Sequence, residues 1–151
     1  IASVGGAAST PSKPKVASVK PVAKPVAITK EKSLATQDKP FENSLGMRFV
    51  PVPITGGPSN GKRVLFSIWE TRVKDYEVFI KENLKIEWSG KRIKQQEDHP
   101  AVFMTWQDAV GFCKWLTVKA RKGGKLSKDE AYRLPTDHEW SCAVGIGELE
   151  D

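Results

Sequence analysis

Tyr132-Arg133-Leu134-Pro135-Thr136-Asp137-His138-Glu139-Trp140 spells a helix start in detail. Thr136 followed by Glu139 is a capping box: the threonine oxygen can accept from the Glu139 backbone N–H while the carboxylate reaches back to the Thr136 N–H. Pro135 precedes the cap and can pack on Trp140 as a hydrophobic staple. Asp137 and Glu139 suit the positive end of the helix dipole, and Trp140, Ala143 and Val144 give the helix an apolar side. Each choice agrees with the next, so the stretch reads as a structural device rather than as chemistry.

Working outward, the net charge of +6 over 151 residues is unevenly placed. Residues 1–40 hold seven lysines against Glu31 and Asp38, which makes +5 and leaves +1 for residues 41–151. A nucleic-acid site would cluster Lys and Arg on a folded face with exposed aromatics, so no nucleic-acid partner is expected. No run approaches the roughly 18 apolar residues of a membrane span, and Ile1–Ala8 lacks the pattern of a signal peptide. The opening on Ile1 and the end at Asp151, soon after a helix, read as cut ends.

Residues 1–40 contain no aromatic residue and repeat Lys-Pro-Val-Ala at Lys20–Ala23 and Lys24–Ala27. Such a segment buries too little surface to offset its ordering entropy and is expected to be a disordered Lys/Pro/Ala-rich linker. The folded part, 41–151, opens with a turn at Asn43-Ser44 and Gly46. Met47 to Pro53 and Val64 to Trp69 read as strands of a hairpin around a Gly-rich loop. Gly56, Gly57 and Gly61 lack the Gly-Lys-Ser/Thr ending of a phosphate loop. Helical spacing runs from Thr71, the expected cap, to Asn83, with Trp69, Val73, Tyr76, Phe79 and Ile80 on one face.

Asn83–Glu97 reads as an irregular, solvated excursion. His99-Pro100 leads into the apolar Ala101–Met104, fit for a strand or a buried approach, with His99 a hydrogen-bonded loop residue. Thr105 and Asp108 start the clearest amphipathic helix, with Ala109, Phe112, Cys113, Leu116 and Ala120 inward and Gly123-Gly124 as its stop. Cys113 and Cys142 are the only cysteines. They read as small buried hydrophobes. A metal site from His99, Cys113, His138 and Cys142 lacks the usual ligand spacing, and His138 with Cys142 is a weak pair on one helix. No Ser-His-Asp set, paired-carboxylate motif or cofactor fingerprint is present.

Four pieces then fall in order. They are Asn43–Met47 with Phe49-Val50; Trp69-Glu70-Thr71-Arg72-Val73 with Tyr76 and Phe79; His99-Pro100-Ala101-Val102 with Thr105-Trp106-Gln107-Asp108-Ala109, Phe112, Cys113, Trp115 and Leu116; and Arg133-Leu134-Pro135-Thr136 with Glu139 and Trp140. Together they resemble the sulfatase-modifying factor family, the formylglycine-generating enzyme fold. The resemblance implies an α+β fold related to C-type lectins, with 41–151 as the amino-terminal part of the domain behind the linker. It implies, for a longer parent, oxidation of a cysteine in a client sulfatase polypeptide to formylglycine, with copper held by two cysteines and structural calcium. It places those ligands after the Arg-Leu-Pro-Thr helix, so no catalytic, cofactor-binding or metal-ligating residue is carried onto this chain, and the matched residues are structural.

Two departures are Glu70-Thr71-Arg72, where the family has Glu-Val-Thr, and Asp137 in place of glutamate. The variant looks like domain copies in large bacterial proteins, often behind a kinase or other module, and leans the parent toward the periplasm or cell surface. The alternative function is a non-catalytic lectin-like recognition module tethered by residues 1–40. Either way the helices are expected to pack together, with Trp69, Tyr76, Phe112, Leu116 and Trp140 buried.

Overall fold

The computed structural model describes residues 35–147, so the expected linker over 1–34 and the last four residues lie outside the described part. The described chain is α+β. Three strands, β1 (Phe41–Glu42), β2 (Arg48–Pro53) and β3 (Arg63–Ser67), form an antiparallel sheet in the order β1-β2-β3. Three helices follow: α1 (Val73–Glu82), α2 (Trp106–Lys122) and α3 (Asp137–Ala143), with one 3-10 turn at Ser89–Arg92.

The β2–β3 hairpin arises where expected, and the turn read at Asn43-Ser44 and Gly46 joins β2 to an additional short strand, β1. The Asn43 side-chain oxygen accepts from the Leu45 and Met47 N–H groups at 2.9 and 3.0 Å, closing the first turn and setting Phe41 opposite Phe49. In the second hairpin Val50 pairs with Phe66 and Val52 with Val64. Prolines 51 and 53 are tolerated in β2 because β1 covers only Arg48 and Phe49. The missing N–H groups therefore face an open edge, where the Pro51 carbonyl accepts from the Gln37 side chain at 3.0 Å. Packing reaches ahead of Phe41, into residues read as linker. Ala35 is buried in the core, and its carbonyl accepts from Arg63 at 2.5 Å.

The core is an aromatic stack between α1 and α2. Tyr76, Phe79 and Phe112 are buried, and Trp115 lies 5.4 Å from Phe79 and 5.7 Å from Phe112 between ring centres. Tilted and edge-on contacts of this kind add to the burial of area, which supplies most of the favourable free energy. Trp88 belongs to the same stack, edge-on to Tyr76 at 5.1 Å, although its stretch was expected to be solvated. Its indole N–H donates to the Val102 carbonyl at 2.7 Å. A Cβ on Gly90 would stand 2.5 Å from the Trp88 ring and 2.6 Å from that carbonyl oxygen, so only glycine fits there.

Four expectations need correction. The cap of α1 is Arg72 rather than Thr71, because the Asp75 carboxylate accepts from the Arg72 N–H at 3.1 Å and from Nε at 2.9 Å. Residues 101–104 form no strand. Val102 and Phe103 are exposed, and Phe103 has a left-handed φ of 60°. Trp69 is 42% exposed, with the Arg72 guanidinium 4.5 Å from its ring centre. Trp140 is 54% exposed, since α3 turns Glu139 and Ser141 inward instead. Tyr76, Phe112 and Leu116 are buried as expected.

Two glycines of opposite character test this packing. Gly90→Ala is expected to cost about 1–3 kcal/mol through forced overpacking. Gly111→Ala, inside α2 where the added carbon would meet only Phe79 at 3.8 Å, is expected to stabilise by about 0.5–1 kcal/mol. Urea denaturation of both variants checks the two signs.

Candidate functional site around the Arg133–Glu139 clasp

The best-built polar centre lies where the loop between β2 and β3 meets α3. Thr136 caps α3 as its sequence predicts: Thr136 Oγ1 accepts from the Glu139 N–H at 3.2 Å, and Glu139 Oε2 accepts from the Thr136 N–H at 3.0 Å. The carboxylate does more than cap. Arg133 donates to both of its oxygens, at 2.5 and 2.6 Å, and the Ser59 hydroxyl donates to Oε1 at 2.6 Å. Glu139 is fully buried while the Arg133 side chain stays half exposed. A two-pronged arginine contact of this kind is strong and directional. Arg133, then burial working against it, then Ser59 and the Thr136 N–H leave the Glu139 carboxyl pushed down to about 2.

Beside the clasp, His138 Nε2 lies 2.7 Å from the Thr55 carbonyl oxygen and 3.7 Å from Cys142 Sγ. The loop approaches so closely that a Cβ on Gly57 would stand 2.6 Å from the imidazole Cδ2, and Gly57 has a φ of 61° that also favours glycine. The clasp and the His138 contact thus fasten one loop to one short helix at two points.

The other matched residues serve separate structural centres. Thr105 and Asp108 form the expected box on α2, with the Asp108 carboxylate accepting from the Thr105 N–H at 2.9 Å and hydroxyl at 2.7 Å. Those bonds hold its carboxyl below the usual range. Trp106, next in the chain, is exposed. Trp115 donates its indole N–H to Glu82 at 2.9 Å, beside Lys119 on the same carboxylate. The Tyr76 hydroxyl is pushed up to about 12 by burial.

Exposed His99 and Pro100 act through the backbone. The carbonyls of His99 and Glu97 accept from the Val73 and Lys74 N–H groups at 2.9 and 3.0 Å, and Pro100 bridges to Arg72. Glu70 is exposed, as is Pro135, while Leu134 is half-buried and its carbonyl accepts from Arg133 at 3.1 Å.

Cys113 and Cys142 are free thiols, each half-buried, and burial pushes the Cys113 thiol up. Among the described residues no contact joins the two, so they do not form a two-thiolate pocket for a soft ion. No group of three or more His, Cys, Asp or Glu side chains that could hold a metal is gathered there either. No helix of the described residues is long and apolar enough to cross a membrane. Ser59 and Thr55 escaped sequence reasoning because a loop residue far along the chain carries no local sign of its partner.

Acid titration checks the clasp. An unfolded glutamate has its ordinary value near 4.5, and Glu139 sits near 2 in the fold. Its stabilising share is complete above about pH 5 and drains away as pH falls toward 2. Glu139→Gln is expected to cost about 1.5–3 kcal/mol at pH 7 and to flatten the fall in denaturation midpoint between pH 5 and 2. An equally steep fall in the variant would remove the clasp as its cause.

The sulfatase-modifying factor enzyme 1-like domain matches residues 55–151. No curated protein and no solved structure matches the chain. The match begins at Thr55, so it leaves out β1 and β2 and takes in the whole clasp, from Ser59 to Glu139. It spans more than half of the 151 residues, and the chain belongs to the sulfatase-modifying factor enzyme 1-like domain family.

Proposed function

We propose that residues 41–151 serve as the scaffold part of a formylglycine-generating domain, in a protein that oxidises a cysteine of a sulfatase-like client polypeptide. The observation that carries this reading is the clasp, which lies wholly inside the family match and fixes the Arg-Leu-Pro-Thr helix start by a buried, fourfold hydrogen-bonded carboxylate. Precise placement of a helix and a loop is what a rigid scaffold gives to reacting groups elsewhere in a domain. Copper is expected to supply oxygen activation, and calcium to brace the fold. The described residues do not fit copper as a dithiolate, because their two thiols stand apart on α2 and α3. They do not fit calcium either, for want of a carboxylate cluster. In this reading both ligand sets belong to another part of the domain.

The 151-residue chain, incubated with copper, reductant and a Cys-x-Pro-x-Arg peptide, is expected to yield no aldehyde product by mass spectrometry. A protein in which a further segment completes the domain is expected to yield it. Product from the 151-residue chain that disappears in both Cys113→Ser and Cys142→Ser would overturn the scaffold reading.

A further inference from the structure

His138 and Cys142 stand four residues apart on α3, one helical turn, so their side chains lie on the same face. Nε2 and Sγ are 3.7 Å apart. Zinc bonds of about 2.0–2.1 Å to nitrogen and 2.3 Å to sulfur, opened to a tetrahedral angle, separate the two donor atoms by about 3.6 Å. The pair therefore already has the spacing of two ligands on one ion. The Thr55 carbonyl oxygen faces both, at 2.7 Å from Nε2 and 3.8 Å from Sγ.

The surroundings hold this arrangement from two sides. Gly57 lies against the imidazole so closely that a Cβ there would be 2.6 Å from Cδ2, and a Cβ on Gly147 would be 2.5 Å from Sγ. Backbone thus limits the rotation of both donor side chains, which lowers the ordering cost of binding. Hydrogen bonding alone uses the pair poorly. The Thr55 carbonyl can only accept, so Nε2 donates its proton there, and the sulfur is left with only long contacts.

We propose that His138 Nε2 and Cys142 Sγ bind a zinc-class divalent cation, with the Thr55 carbonyl oxygen as a third donor and solvent as the fourth. One soft sulfur and one imidazole select zinc-class ions over calcium or magnesium, which take oxygen. On binding, Cys142 gives its thiol proton to solvent and becomes a thiolate. The imidazole gives up its Nε2 proton and takes one from solvent on Nδ1, so that the Nε2 lone pair goes to the ion. The Thr55 oxygen moves outward by about 0.5–1 Å, from hydrogen-bond to ligand separation. This site is independent of the scaffold reading and of any two-thiolate centre. It would fasten the β2–β3 loop to α3 at a point next to the clasp.

The test uses the full chain and cobalt(II) as a visible stand-in for zinc. One equivalent is expected to raise a near-ultraviolet thiolate-to-cobalt absorption that zinc abolishes and that magnesium and calcium leave alone. In parallel, zinc is expected to protect Cys142 but not Cys113 from iodoacetamide, read by peptide mass spectrometry. The absorption should be lost in Cys142→Ser, should be lost or strongly weakened in His138→Ala, and should persist in Cys113→Ser. If Cys142→Ser fails to fold by circular dichroism, Cys142 protection compared between the unaltered chain and His138→Gln decides the matter. Absence of the absorption, equal zinc protection without the imidazole, or protection of Cys113 to the same degree would overturn the proposal.

Discussion

A carboxylate with no exposed surface has to be paid for by its neighbours, and Glu139 has four donors to do so. An unpaired buried charge would cost far more than a helix cap returns, so the fold around it is constrained by it. Arg133 must come from the approach to α3, Ser59 from the β2–β3 loop and the Thr136 N–H from the helix start. Once all three are in place, the loop and the helix cannot move apart without stranding the charge. The close approach of Gly57 to His138 and the facing of Thr55 toward Cys142 follow from that one arrangement.

A second ion pair, at the start of α1, works in the same way. Arg72 and Asp75 are both buried, and their pairing raises the arginine's already high affinity for its proton. The guanidinium also reaches the Gly46 carbonyl at 3.4 Å and lies over the exposed face of Trp69. The turn before β2 and the start of α1 are thereby joined through polar contacts. The aromatic stack lies between the helices rather than at this joint. Apolar burial supplies the bulk of the stability in such a fold, and the two ion pairs specify how its pieces meet.

What the sequence made legible was local. The Thr136–Glu139 and Thr105–Asp108 boxes, the amphipathic face of α2 and the β2–β3 hairpin each rest on residues within a few positions of one another, and each formed as read. The departures rest on distant partners. Trp88 is buried because the Val102 carbonyl, far along the chain, accepts its N–H, and nothing in its polar neighbourhood announces that. Trp140 was assigned inward by apolar character, yet the buried face of a helix of this length is taken by Glu139 and Ser141, whose partners come from elsewhere. Of the site itself, Glu139 and Arg133 were visible as members of a motif. Their bond to each other and to Ser59 was not, because the capping box alone already accounted for the glutamate.

The start of α1 shows how little of this fold is assembled one element at a time. Its first N–H groups are satisfied by the backbone carbonyls of His99 and Glu97, and the Ala101 N–H returns a bond to Thr71 at 2.8 Å. A helix whose first turn is completed by a strap from later in the chain gains its last hydrogen bonds only when that strap has docked. Helix start and strap therefore form one cooperative unit, opening and closing together. Length can change only past the 3-10 turn at Ser89–Arg92, where Trp88 and Gly90 are already docked, so long as the chain returns Glu97 and His99 to the same place.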